Sequence, residues 1–251
     1  MIAIIKNDKI RLDAAEEFQK VLTEPSIVVP LGSCLPKGTN RIISLGGDGT
    51  LIACFRTYPN MPILGVNYGN LGFLSGLKKG ENPNQEFVIQ ERGVLCNSIS
   101  SELALNEIVV ARGAIPRSLK LAIYVDGILL VKYLSDGVII ATSTGSTAYS
   151  LSANGPIVSP EINAIIINPI CPHLRKDNSF VLPYTAKVQV EVLNSAEGFL
   201  TIDGQVSHSI KRNDVIEIAY SEHKAKLLYK KDYSFIERCN TPVLKHDFFE
   251  L

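Results

Sequence analysis

The chain has 251 residues, with 25 Lys and Arg against 25 Asp and Glu, and it is 46% hydrophobic and 20% charged. That length suits one or two globular domains with a sizeable core, and ordinary apolar content at zero net charge excludes a disordered chain. The same balance argues against a nucleic-acid partner, because there is no basic excess to neutralise phosphates.

Met1 to Ile5 predicts a short apolar strand, and Ala14, Ala15, Phe18, Val21 and Leu22 fall at helical spacing, so the chain opens β-α. Ser26–Pro30 and Arg41–Leu45 are the next strand candidates, separated by a loop punctuated by Gly32, Pro36 and Gly38. Gly46-Gly47-Asp48-Gly49-Thr50 follows directly, then the apolar Leu51–Phe55 as a helix opening, and Pro62–Val66 as one more buried strand. Strands alternating with helices predict a parallel, Rossmann-like α/β domain. The polar, Gly- and Pro-containing segment Gly80–Gln85 then marks a boundary, so residues 1–85 are read as this first domain.

Beyond it the periodicity becomes strand-like. Leu119–Val125 and Ile128–Leu134 flank Asp126-Gly127, a hairpin signal because both turn positions need positive φ. Gly137–Ala141, Ala164–Asn168, Lys187–Leu193, Phe199–Ile202 and Val215–Tyr220 are further strands, which predicts a β-sandwich-like domain over residues 86–230. No repeat at periods of roughly 20–50 residues is present. The N-terminus MIAIIKNDKIRLD has no basic segment before its apolar stretch, and no apolar run approaches the ~20 residues that span a bilayer, so the chain reads as cytoplasmic with no membrane partner. Five scattered cysteines, never spaced C-x-x-C, and four dispersed histidines suggest neither a disulfide framework nor a protein-held metal.

Three clusters carry chemistry. Glycines at a strand-to-helix turn, Gly46, Gly47 and Gly49, let the backbone approach a phosphate at a helix N-terminus. Asp48 inside that turn would repel the phosphate unless it caps the helix, holds a divalent cation, or accepts a proton from an attacking hydroxyl. Asn106-Glu107, just before an apolar run, is suited to a diol, or equally to an exposed strand edge or turn where both side chains meet water. In Ser135–Ser152 a buried strand ends in small and hydroxylated residues, which could form a nest for a polar ligand with Tyr149 as a flat face, or simply a Ser/Thr-rich loop. Asp203-Gly204 is explained completely by turn chemistry. No Walker-type phosphate loop and no protein-kinase signature set occurs.

In order and spacing, Gly46–Thr50, the stretch NYGNLGFL at Asn67–Leu74, Asn106-Glu107 and the run DGVIIATSTGSTAYSLSANGPIVSP at Asp136–Pro160 resemble the NAD kinase family. The resemblance runs from the first strand to near Tyr233, and the TGSTAYSLSA-x-GP string is its most specific part. It implies transfer of the terminal phosphate of ATP, or of polyphosphate, to the adenosine-ribose 2′-hydroxyl of NAD, giving NADP. It also implies Mg²⁺ carried with ATP, a homodimer or homotetramer, and a last segment, residues 231–251, that returns to the first domain.

Carried over by this resemblance, Asp48 is the proton acceptor and belongs with Gly49 to the NAD contacts. Asn106 and Glu107 bind ribose hydroxyls, and Asp136 lies toward the nicotinamide. Thr147, Ala148, Tyr149, Ser150, Leu151 and Ser152 form a contact segment, and Arg117 and Gln205 add contacts. The chain departs from the family pattern at Leu134, where a basic residue is common, and at Ser143, where proline is common. Two rival readings remain: a lipid kinase sharing the GGDG turn, and a NAD(P)-binding sensor that performs no transfer.

Overall fold

The computed structural model describes residues 1–69, 72–114, 117–173, 178–194 and 197–240. Asn70 and Leu71 of the NYGNLGFL stretch lie outside the described residues, as does 241–251 of the C-terminal segment. The chain forms two compact units, Met1–Glu91 together with Lys226–Leu251, and Arg92–Ala225.

The first unit begins with β1 (Ile2–Lys6), α1 (Leu12–Val21), β2 (Ser26–Val28), β3 (Arg41–Gly46), α2 (Asp48–Thr57), β4 (Ile63–Asn67) and β5 (Leu77–Lys78). Ile2–Ile5, Ile42–Leu45 and Ile63–Val66 are runs without polar alternation, and they are buried on both faces, as strands of a parallel sheet covered by helices must be. The order is β2-β1-β3-β4, all parallel, with β5 parallel on β4. Ala15 of α1, with Phe18 and Leu22, packs on the core built from Ile2, Ile4, Ile43, Leu45, Leu64 and Val66. On α2, Leu51 lies so close to Gly65 that a Cβ there would come within 2.8 Å of it. Because β2 and β3 flank β1 on opposite sides, the carboxyl ends of β1 and β3 form the point where the chain's winding reverses. Open α/β sheets bind ligands at such points.

The second unit contains β7 (Glu107–Arg112), β8 (Leu119–Val125), β9 (Ile128–Ser135), β10 (Gly137–Thr142), a 3₁₀ turn (Thr144–Thr147), α3 (Tyr149–Ser152), β11 (Ala164–Ile170), β12 (Phe180–Pro183), β13 (Val188–Val192), β14 (Gly198–Ile202) and β15 (Val206–Ile210). Two strands straddle the unit limits in sequence, β6 (Phe87–Asn97) and β16 (Val215–Lys230), and α4 (Phe235–Cys239) closes the described chain. One antiparallel sheet runs β12-β11-β10-β7-β14-β15; in the other, β13 pairs with β16 and β8, and β8 with β9. Ile108, Val138, Ile140, Ile167 and Leu200 from the first sheet meet Leu121, Ile123, Val188, Val190 and Ile216 from the second in one core, so the unit is a β-sandwich. The alternate residues Val109, Ile139, Ala141 and Ile166 pack with Val158 on the far face, which leaves β10 buried on both sides.

The architecture is α/β plus a β-rich unit. Asp126 (φ 50°) and Gly127 (φ 81°) form the two-residue hairpin turn between β8 and β9, with Val125 opposite Ile128. Several elements depart from the sequence expectation. Strand β2 stops at Val28, since proline at 30 cannot donate to a ladder. Strand β16 continues ten residues past Tyr220, through the polar Ser221–Lys224 stretch that hides its alternation. The sequence reading contains no strand at β5, β6, β7, β12 or β15.

Candidate active site

In the first unit the glycine turn sits where the winding reverses. Gly47, extended at φ −101° and ψ −172°, is the N-cap of α2, so Asp48 is the first helical residue and does not cap its own helix. Its carboxylate reaches instead to the loop after β4: Oδ2 accepts from the Phe73 N–H at 2.8 Å and Oδ1 from the Leu74 N–H at 3.2 Å. Gly72 permits this approach, because a Cβ there would lie 2.9 Å from Asp48 Oδ1. Arg238 holds the same loop from α4, donating to the carbonyls of Gly72 (3.3 Å) and Ser75 (2.6 Å). Burial pushes the Asp48 carboxyl above its ordinary range, against the opposing pull of the two N–H groups and the Arg238 charge. A carboxyl so raised is a better base than an exposed aspartate and remains mostly ionised only above that raised value.

Beside the turn lies a cavity of about 500 Å³ lined by Asn7, Lys9, Arg11, Gly46, Gly47, Tyr68 and Lys79. A second, of about 680 Å³, opens on the other side of Asn7 toward Pro30, Leu31, Gly49 and Thr50. Asn7 Nδ2 donates to Thr50 Oγ1 at 3.1 Å, joining the end of β1 to α2. Lys79 lies over the Tyr68 ring at 5.3 Å, and Arg11 is paired with Asp13 at 2.7 Å. Backbone N–H groups at a helix start, glycine without a side chain and nearby cations together suit an anionic group. Gly47 itself has nothing within 4 Å of the place where a Cβ would stand.

In the second unit Asn106 and Glu107 begin β7, buried at 7% and 6% exposure. Asn106 Oδ1 and Glu107 Oε2 are buried without a hydrogen-bond partner, an arrangement that costs stability in the free protein and asks for a ligand with donors. Burial, then the neighbouring Asp203 charge, pushes the Glu107 carboxyl up to about 8, although the Tyr149 backbone N–H donates to it. At neutral pH Glu107 is therefore a protonated acid that can both donate and accept. The backbone beneath is fixed from two sides. Thr142 binds the carbonyls of Asn106 and Leu105 at 2.8 and 2.7 Å, and Gly145 approaches so closely that a Cβ would meet Asn106 O at 2.1 Å.

The Ser/Thr string is not the open nest that its composition suggests. Ser146 Oγ donates to Ser143 O and interacts with both N–H and C=O of Val158, Thr147 Oγ1 donates to Thr144 O, and Ser143 Oγ donates to Ile162 O. For Ser143, Ser146 and Thr147 the protein's own carbonyls supply the partners that buried hydroxyls need, whereas the buried Ser150 Oγ has none. Among the residues singled out from the sequence, Tyr149 is 45% exposed and Ser152 is exposed, Thr147, Ala148 and Leu151 are half-buried, and Ser150 is buried against Gly155. Arg117 and Gln205 are exposed, the latter in the turn after β14. Asp136 is half-buried and accepts from Arg112 Nε at 2.7 Å, so a cation from β7 accompanies it although residue 134 is leucine. Nothing local in the sequence signals Arg112 or Arg238 for these roles, since each acts on a partner distant along the chain.

Comparison with known proteins bears on both clusters. Residues 7–89 match the family model of the ATP-NAD kinase N-terminal domain, and residues 105–229 that of the ATP-NAD kinase C-terminal domain. An NAD kinase of Ruminiclostridium cellulolyticum is 37% identical over 214 residues, covering 78% of this chain and 75% of that protein. One of Geobacter sulfurreducens is 38% identical over 224 residues, covering 82% and 79%. Among solved structures, an NAD kinase from Archaeoglobus fulgidus in complex with ATP superposes with a TM-score of 0.80 at 27% identity, covering 94% of this chain and 96% of that one. Yeast NADH kinase complexed with NADH gives 0.79 at 25% identity, covering 100% and 89%.

Proposed function

The chain belongs to the NAD kinase family, and from that premise we propose that it transfers the γ-phosphoryl group of ATP to the adenosine-ribose 2′-hydroxyl of NAD, giving NADP and ADP. The observation that carries the chemistry is Asp48: a carboxylate in a glycine phosphate turn, with its pKa raised by burial and its orientation held by the Phe73 and Leu74 N–H groups. A binder of phosphates gains nothing from an acid there, whereas a transferase needs one to take the proton of the attacking hydroxyl as the bond to phosphorus forms. Within the Gly46–Gly49 turn, Gly47 has the open space that would admit the donor's phosphates, whereas the place of a Cβ on Gly46 is filled by Thr50; the cavity lined by Gly47, Lys9 and Lys79 is our assignment for the donor. Polyphosphate would meet the same cations.

On the acceptor side, Asn106 and Glu107 bind the ribose hydroxyls, their orphaned oxygens accepting from them and the Glu107 acid proton donating. Tyr149 presents its exposed ring to a base, flanked by Thr147, Ala148, Ser150, Leu151 and Ser152 as main-chain and hydroxyl contacts. Asp136, Arg117 and Gln205 complete the acceptor contacts, with Arg112 fixing Asp136. Among the described residues no three His, Cys, Asp or Glu side chains gather to cage a metal. Mg²⁺ would enter with the donor, held by its phosphates and by waters, and Asp48 stays available as the proton acceptor. When bound, the ion would neutralise charge on the transferring phosphoryl group.

We also assign a cytoplasmic location, which suits five unpaired cysteines, and a homodimer or homotetramer. No described helix is long and apolar enough to cross a membrane. Strand β9 exposes Ile128 (74%), Leu129 and Leu134 at a sheet edge, a surface that a second copy would cover. Static light scattering reads the oligomer directly, and a monomer would contradict it. The test of function is NADP formation from NAD and ATP with Mg²⁺, on wild type and Asp48→Asn. Activity that falls by ~10²-fold or more in the variant, with NAD binding retained, supports the reading. No NADP from ATP or polyphosphate, despite NAD binding, would leave only a sensor.

A further inference from the structure

The turn after β14 does more than reverse the chain. Asp203 has a positive φ of 48°, and its carboxylate points away from its own turn to the start of β7. Oδ2 accepts from the Leu105 N–H at 2.8 Å, and Oδ1 accepts from the N–H groups of Asn106 (2.8 Å) and Glu107 (3.0 Å). The Asp203 N–H in turn donates to Glu107 O at 3.0 Å. One side chain thus holds three successive backbone amides of a segment almost a hundred residues away in sequence. Such hydrogen bonds to an ionised acceptor are short and about twice as strong as neutral ones.

We propose that Asp203 is a positioning residue for the acceptor nucleotide: it fixes the Leu105–Glu107 backbone so that the Asn106 amide and the Glu107 carboxyl face one vicinal diol together. This rests on the reading that Asn106 and Glu107 bind the ribose. The free protein holds Asn106 Oδ1 and Glu107 Oε2 buried and unpartnered, an arrangement that local relaxation of the strand start would relieve. Asp203 from one side and Thr142 from the other prevent that relaxation. A carboxylate is required for the role. Its two oxygens offer enough lone pairs for three donors, whereas an amide would bring one acceptor oxygen and an N–H₂ group facing the same amides. Asp203 also acts on Glu107 through its charge. The other influences on that carboxyl are burial and the Tyr149 N–H, and Asp203 is the charged neighbour among them.

The test uses the full-length protein and Asp203→Asn, since asparagine tolerates the left-handed conformation and isolates the loss of the carboxylate. The expected result is a rise of about 10-fold or more in KM for NAD with KM for ATP within about 2-fold of wild type, because only the acceptor cradle is loosened. In the same variant the pH dependence of KM for NAD should move acidward by about half a unit or more, as a like charge leaves Glu107. A purely structural residue would not produce that shift. Hydrogen exchange supplies a measurement that needs no variant: the amides of Leu105, Asn106 and Glu107 should be protected in the wild type without NAD. Three amides exchanging as freely as an exposed loop would overturn the proposal, and so would an Asp203→Asn enzyme with unchanged KM for NAD, or one whose KM values for NAD and ATP rise alike. Asn106→Ala and Glu107→Ala separate the two levels. If they leave KM for NAD unchanged, the ribose reading itself fails; if they raise it while Asp203→Asn does not, the positioning role alone fails.

Discussion

Glu107 keeps its proton up to about pH 8 in the folded chain, while an unfolded glutamate releases it near its ordinary value of 4.5. Between those values the unfolded state binds fewer protons than the folded one, so this residue lowers stability progressively as pH rises from about 4.5 to about 8. Glu107→Gln has no proton to release over this range. Thermal unfolding at pH 5 and pH 8 should therefore show the variant gaining on wild type by about 4 °C or more between the two conditions, since 1 kcal/mol moves the midpoint of a chain this size by roughly 2–4 °C. A difference between the two proteins that does not change with pH would contradict the buried, protonated state. The residue types of this pair were visible in the sequence, and their suitability for a diol with them. Their burial was not, because Asn and Glu are ordinarily exposed and what buries them comes from β10, the 3₁₀ turn and Asp203.

At the scale of elements, two glycines separate space kept for the fold from space kept for a ligand. Gly145 stands at the 3₁₀ turn with the Asn106 backbone where its Cβ would be, so Gly145→Ala must push the start of β7 aside and should destabilise the chain by about 1–3 kcal/mol while weakening NAD binding. Gly47 has open space and an extended backbone, so Gly47→Ala should leave the unfolding midpoint unchanged. A methyl group in the phosphate turn should nevertheless raise KM for ATP several-fold. Calorimetry and initial rates together check the pair; an ATP KM unaffected in Gly47→Ala would place the donor elsewhere. Strands β3, β4 and β10 could be read from the sequence because buried strands leave mostly apolar runs, broken in β3 only by Ser44, and the β8–β9 hairpin because Asp-Gly is a turn with one strong geometry. Strand β7 was masked by its polar start. The helical start at Asp48 was hidden by glycines, which carry no periodicity.

For the whole molecule, composition excludes more than it assigns: zero net charge and ordinary apolar content describe countless proteins. The ordered motifs carried the family resemblance, and the two matching domain models bear it out. What the sequence withheld is long-range: Asp48 meeting Phe73 and Leu74, Arg238 bracing that loop, Arg112 pairing with Asp136, and Asp203, whose turn chemistry is a sufficient local explanation that conceals its role. The central claim is a transfer to one hydroxyl of one nucleotide, and a single-turnover reaction with γ-³²P-labelled ATP, NAD and Mg²⁺ tests it most directly. The account predicts label in a product that an NADP-specific dehydrogenase reduces, formed one for one with ADP. Label released as inorganic phosphate with NAD unchanged, or held in a nucleotide that this dehydrogenase does not accept, would contradict it.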